Sequence, residues 1–174
     1  MRFSIHQSIE ILERTPVVLQ HLLENLSAEW TVNNEGGDTW SAYDVLGHLI
    51  HGDKTDWLPR AELVLSENVE KRFQPFDRFA QFENSKGKTL KQLLHDFEEV
   101  RNTSIERLKS LNITERDLEK TAVHPTFGEV TLSQLLSTWI VHDLDHISQI
   151  ARVMAKQYKN EVGPWIEFLK ILKQ

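Results

Sequence analysis

The sequence predicts an all-α fold, a four-helix bundle with a short C-terminal helix. Three observations carry this. Four long stretches repeat their apolar residues three and four apart; two of them open on a capping signature; and segments with strand-like alternation are few. At 174 residues the chain suits one domain, expected over residues 1–174, and is long enough to bury about two-thirds of its unfolded surface.

The first helix is expected over residues 4–26, where Ile5, Ile9, Leu12, Leu19, Leu22, Leu23 and Leu26 follow the helical period. Pro16 falls inside it and is expected to kink or divide it, since proline lacks the N–H that the helix needs. The run Asn33-Asn34-Glu35-Gly36-Gly37-Asp38 reads as a loop. A second helix starts at Ser41, with Asp44 three residues on, and runs to about Ser66 with a bend expected at Pro59. Residues 73–88 are rich in aromatics without a period and read as an ordered connection packed over the bundle. The third helix spans Thr89 to Leu111, with Leu90, Leu93, Leu94, Phe97, Val100, Ile105 and Leu108 turned inward. A short helical turn is expected at Thr114–Glu119, followed by a loop. The fourth long helix opens at Thr131, with Gln134 completing the capping pattern, and ends near Tyr158. A last short helix starts near Pro164, a residue suited to a first helical turn.

Composition narrows the chemistry. The net charge of −6 is spread along the chain, and there is no basic patch of the kind that neutralises phosphates, so no nucleic-acid partner is expected. Cysteine is absent, which removes disulfides, thiolate metal sites and a cysteine nucleophile. The N-terminal residues mix charge with apolar positions and resemble no signal peptide, and no apolar run approaches about 18 residues. A cytoplasmic protein without membrane attachment is expected. No glycine-rich phosphate loop or serine nucleophile elbow appears.

The stretch Trp139-Ile140-Val141-His142-Asp143-Leu144-Asp145-His146 sets imidazoles and carboxylates among core-like residues. On a wheel with His142 at zero, Leu135 and Val153 lie about 20° round, His146 about 40°, Trp139 about 60° and Asp143 about 100°. Two histidines and one aspartate therefore aim at the interior, whereas Asp145 and Gln149 point outward. Residues at i and i+4 sit one above the other, so both imidazoles can reach one ion. Core polar groups satisfied by local hydrogen bonds, or a shared water, would explain the spacing equally well. Among the other histidines, His48 lies about 60° outside Val45 and is the better placed to turn inward; His51, about 120° outside, reads as a solvated neighbour. His6, His21 and His95 read as surface residues, and His124 as a loop residue able to line a pocket mouth. Asp44 reads as a helix-capping charge. Trp40 and Trp139 could wall a pocket, but packing explains such aromatics as a rule.

Trp40-Ser41-Ala42-Tyr43-Asp44-Val45-Leu46-Gly47-His48-Leu49, followed some eighty residues later by a histidine pair ending in Gln149-Ile150, resembles the DinB-like family of damage-inducible and YfiT-like bundles. The resemblance covers nearly the whole chain, with both motifs in order and separation. It implies a four-helix bundle in which His48, His142 and His146 hold a divalent metal. Zinc and nickel suit imidazole ligands best, with iron and manganese also compatible. Three imidazoles leave positions open for water or substrate.

The family further implies a metal-dependent enzyme acting on a small molecule. It would either transfer a low-molecular-weight thiol to an electrophile or hydrolyse a small substrate, and homodimers are common among such bundles. Asp143 is the candidate for orienting a ligand imidazole through its second ring nitrogen; alternatively it bonds the backbone or an indole and never touches the site. The competing reading of the whole is a non-catalytic binding or stress-response bundle, with the metal structural or absent. No further cofactor is indicated.

Overall fold

The computed structural model describes residues 2–173. Its long helices are α1 (Ile5–Leu23), α3 (Ala42–Thr55) continued by α4 (Trp57–Leu65), α6 (Leu90–Ser110) and α7 (Leu132–Lys156). Short helices α2 (Ala28–Val32) and α5 (Ala80–Asn84) lie in the connections. Both α1 and α3 pack against α6 and α7, so the four rods run α1, α6, α3, α7 around the bundle. Two pairs that follow each other in sequence, α1 with α3 and α6 with α7, thus face across the diagonals.

Each long helix opens on a side-chain cap. Ser4 accepts from the Gln7 N–H, while Ser41 with Asp44, Thr89 with Gln92 and Thr131 with Gln134 form reciprocal capping boxes. Each such cap is worth about 1 kcal/mol. The helix expected from Ser41 to Ser66 is two: it breaks at Asp56, whose backbone departs to φ −113°, ψ −71°. Pro59 cannot donate to the Thr55 carbonyl, so the fault falls a turn before the proline itself.

Pro16 does not divide α1, which runs unbroken through it. Lacking an N–H, Pro16 leaves the Leu12 carbonyl without its helical donor. Arg101 Nη1 from α6 donates to that carbonyl at 3.1 Å, so the proline is accommodated by a partner far away in sequence.

The loop expected after Glu119 is instead an antiparallel hairpin, β1 (Thr121–His124) and β2 (Gly128–Thr131), with Thr121 opposite Thr131 and His124 opposite Gly128. Strands of four residues are too short to show alternation. Part of what holds them is non-local: Val123 N–H donates to Lys71 O at 2.7 Å, and Phe73 N–H donates to Val123 O at 2.9 Å. The aromatic connection therefore packs over the bundle as expected, with Phe73 buried in the core. Thr114–Glu119 yields one 3-10 turn at Asp117–Glu119, and the C-terminal segment forms two, Gly163–Phe168 and Lys170–Lys173, in place of an α-helix. No helix among the described residues is long and apolar enough to cross a membrane.

Two apolar clusters fill the bundle. One gathers Leu12, Ile105, Leu108, Leu132 and Trp139; the other gathers Leu19, Leu46, Leu49, Phe97 and Ile150. On α6 and α7 the residues between these clusters are Arg101, His142, Asp143 and His146. The polar layer lies between two dry ones.

Candidate metal centre

His142 and His146 lie one turn apart on α7, and His48 comes from the facing helix α3. Their Nε2 atoms converge: His48 to His142 is 3.1 Å and His142 to His146 is 3.1 Å, and the three ligand atoms lie within 4.8 Å of one another. His48 and His146 are buried, at 7% and 8% exposure, and His142 is half-buried. Aromatic side chains pack the rings in place, Trp40 and Phe76 against His48 and Trp57 edge-on against His142. Close approach of α5 supports this stretch of α3, where a Cβ on Gly47 would sit 2.4 Å from Ser85 Oγ.

The donor set fits a divalent cation. His146 Nδ1 donates to Gln149 Oε1 at 2.7 Å, so the lone pair of its neutral ring lies on Nε2, facing the other two. A neutral ring nitrogen either donates or accepts, so His142 Nε2 can make at most one ordinary hydrogen bond of its two 3.1 Å approaches. Two nitrogens bound at about 2.0–2.1 Å to one ion lie about 3.3 Å apart at the tetrahedral angle and about 2.9 Å apart at a right angle. The observed 3.1 Å falls between.

The rings are also held neutral, as metal binding requires. Burial, reinforced by neighbouring imidazoles, pushes His48 down to about 3 and His142 down to about 2. Burial lowers His146 as well, against the opposing pull of Gln149 and nearby aspartates.

Asp143 does not take the role expected of it. Fully buried, it accepts from Arg101 with both oxygens rather than from an imidazole. Arg101 also donates to both oxygens of Asp53, at 2.6 and 3.0 Å, and lies over the Phe97 and Trp139 rings. Burial works against the guanidinium charge, but the two carboxylates more than offset it and raise its pKa above the ordinary value. With the Leu12 carbonyl included, this one side chain bonds to all the other long helices, and its partner Asp143 follows His142 in the chain. Its signal was present in the sequence: Arg101 lies four residues from both Phe97 and Ile105, on the apolar face of its helix. The imidazole partner is Gln149, a residue that the wheel turns outward.

A cavity of about 720 Å³ opens onto the three histidines. Trp40, Trp57 and Phe76 supply apolar wall, and Arg60, Arg78, Asp56 and Asp145 supply charge. Asp56 is engaged by Arg60 at 2.6 Å. Asp145, although exposed, lines this cavity and has no ion-pair partner among the described residues. Trp40 forms part of the pocket wall, whereas Trp139 is core, stacked on Trp57. His6, His21 and His95 are on the surface, and His51 is half-buried beside Thr55 and Asn84.

The sequence pattern of the DinB superfamily matches residues 11–150. The chain belongs to the DinB superfamily. An uncharacterized relative, YuaE of Bacillus subtilis strain 168, is 28% identical over 146 residues, which is 77% of this chain and 89% of that protein. Among solved structures, YfiT from Bacillus subtilis is described as a probable metal-dependent hydrolase with an unusual four-helix bundle topology. It superposes with a TM-score of 0.74 at 22% identity, over 88% of this chain and 86% of YfiT. TT2238, a four-helix bundle protein, gives 0.57 at 16% identity over 85% and 98% of the two chains. These likenesses place the DinB-superfamily chain in a mostly helical bundle of the YfiT type.

Proposed function

We propose that this DinB-superfamily protein is a metal-dependent hydrolase of a small substrate, with a divalent ion held by His48, His142 and His146. The observation that carries the reading is the convergence of three histidine Nε2 atoms, from two buried rings and one half-buried ring, on one cavity. The description of YfiT as a probable metal-dependent hydrolase supports it from outside the chain. A bound divalent ion supplies Lewis acidity and lowers the pKa of water.

The chain supplies the rest. Gln149 holds the His146 ring in the tautomer that leaves Nε2 free to ligate. Trp40, Trp57 and Phe76 exclude bulk water from one side of the cavity. Asp145 is the carboxylate we assign as general base, since Asp56, the other acid of the cavity, is engaged by Arg60. Zinc and nickel are the metals that three imidazoles suit best. Thiol transfer is a second reading, favoured by a cavity of about 720 Å³ in a chain without cysteine, whose thiol would have to arrive as a cosubstrate.

Metal analysis of protein purified without a histidine tag tests the reading. One divalent ion per chain, lost in His142→Ala, is the expected result, together with ester hydrolysis that disappears on chelation. A thiol–electrophile conjugation screen on the same protein separates transfer from hydrolysis. Wild-type protein that retains no divalent ion would sink the reading.

A further inference from the structure

A fourth imidazole lines the same cavity without joining the cluster. His124 ends β1, and its Nδ1 accepts from the backbone N–H groups of Thr126 at 3.1 Å and Phe127 at 3.3 Å. A ring nitrogen that accepts carries no proton, so the proton of the neutral ring sits on Nε2. That N–H has no hydrogen-bond partner among the described residues. The ring is also held in place, stacked on Phe127 at 4.6 Å and edge-on to Phe73 at 6.2 Å. Burial, helped by Arg60, lowers its pKa, which favours the neutral ring.

We infer that His124 Nε2–H is a fixed hydrogen-bond donor for a carbonyl-type oxygen of the substrate, at a distance from the group that reacts at the three histidines. The inference rests on the reading of this cavity as the substrate site. It assigns a substrate class: a small molecule with an oxygen acceptor remote from its reactive group. With Nδ1 occupied, His124 is a donor and not a base, which distinguishes it from Asp145 on the same cavity. The hairpin thereby gains a role beyond packing, since its tight return between His124 and Gly128 presents the two amides to Nδ1.

Two measurements test this. In ¹⁵N spectra of histidine-labelled, metal-stripped protein, His124 should show the Nε2–H tautomer; the Nδ1–H tautomer would overturn the inference. In zinc-loaded protein, 4-acetylbenzohydroxamate, which carries a carbonyl remote from its metal-binding end, should bind about threefold to tenfold more tightly than benzohydroxamate, the worth of one hydrogen bond. His124→Phe keeps a ring against Phe73 and Phe127, and it should abolish that preference while leaving benzohydroxamate affinity and zinc content unchanged. His124→Gln, which retains an N–H, should preserve part of it. No preference in the wild type, or an equal loss for both probes in His124→Phe, overturns the donor role. Failure to take up zinc would overturn the proposed function and this inference with it, and zinc uptake without the preference overturns this inference alone.

Discussion

Arg101 and Gln149 show how single side chains hold this site without being ligands. Among the described residues, Arg101 is the one cation paired with the buried carboxylates of Asp53 and Asp143. Arg101→Leu strands two like charges in the core and should cost about 3–5 kcal/mol in urea unfolding. Replacing all three residues by apolar ones of similar volume should recover much of that loss, because desolvation of the ions disappears along with their attraction. If Arg101→Leu alone proved neutral, the ion triad would have no structural role. Gln149 acts more locally. Gln149→Leu frees the His146 ring to rotate and change tautomer, and should weaken zinc affinity by about 10–100-fold in competition with a chelating dye. An unchanged affinity would mean that packing alone orients His146.

Between elements, α5 lies close against α3 at Gly47. Gly47 precedes His48, and any side chain there meets Ser85 Oγ and the Gln81 Cβ, the latter at 3.3 Å. Both Ser85 and Gln81 are buried, so neither can swing into solvent. Gly47→Ala should therefore push α5 off α3 and destabilise the protein by about 1–3 kcal/mol. Gly47→Ala combined with Ser85→Gly should recover part of the loss, because the nearest clash is with the serine hydroxyl. Thermal melts of the single and double variants check this, and equal losses in both would show that the Gln81 contact dominates. The same scale explains how α1 tolerates Pro16: the carbonyl the proline orphans is bonded by a residue of α6, so the defect in one helix becomes a point of attachment for another.

For the whole molecule, the buried imidazoles make stability depend on pH. His48 and His142 are held at about 3 and about 2, below the ordinary 6.5 that the unfolded chain keeps. On acidification the unfolded chain binds protons first, so these groups cost stability as pH falls below about 6.5, progressively down to about 3 for His48 and about 2 for His142. Asp56 works the other way. Burial raises it from 3.8 to about 6 despite Arg60, so the stability it contributes is present below 3.8 and lost as pH rises to about 6. Burial raises Asp53 too, against the pull of Arg101, so three lowered imidazoles, two of them strongly lowered, are set against two raised carboxyls. Metal-stripped protein should melt at a lower temperature at pH 5 than at pH 7, and a higher Tm at pH 5 would contradict the burial of these rings.

Much of this architecture is readable along the chain because helix geometry is local. Capping pairs, apolar spacing and the i, i+4 histidines each involve residues within a turn of one another, and the wheel separates His48 from His51 by angle alone. The DinB-like pattern then joined the three ligands across two helices. Other features depend on which rods meet. Asp143 turns to Arg101 rather than to a histidine because α6 lies diagonally opposite α7 and sends a cation through the middle. The spacing puts Arg101 on the apolar face of its helix, but only the closed bundle shows the two carboxylates it meets there. The hairpin is held in part by the bonds of residues 71–73 to Val123, and His124 reaches the cavity on that hairpin. Local spacing can say which way a side chain leaves its helix, but what it meets there is set by packing between segments far apart in sequence.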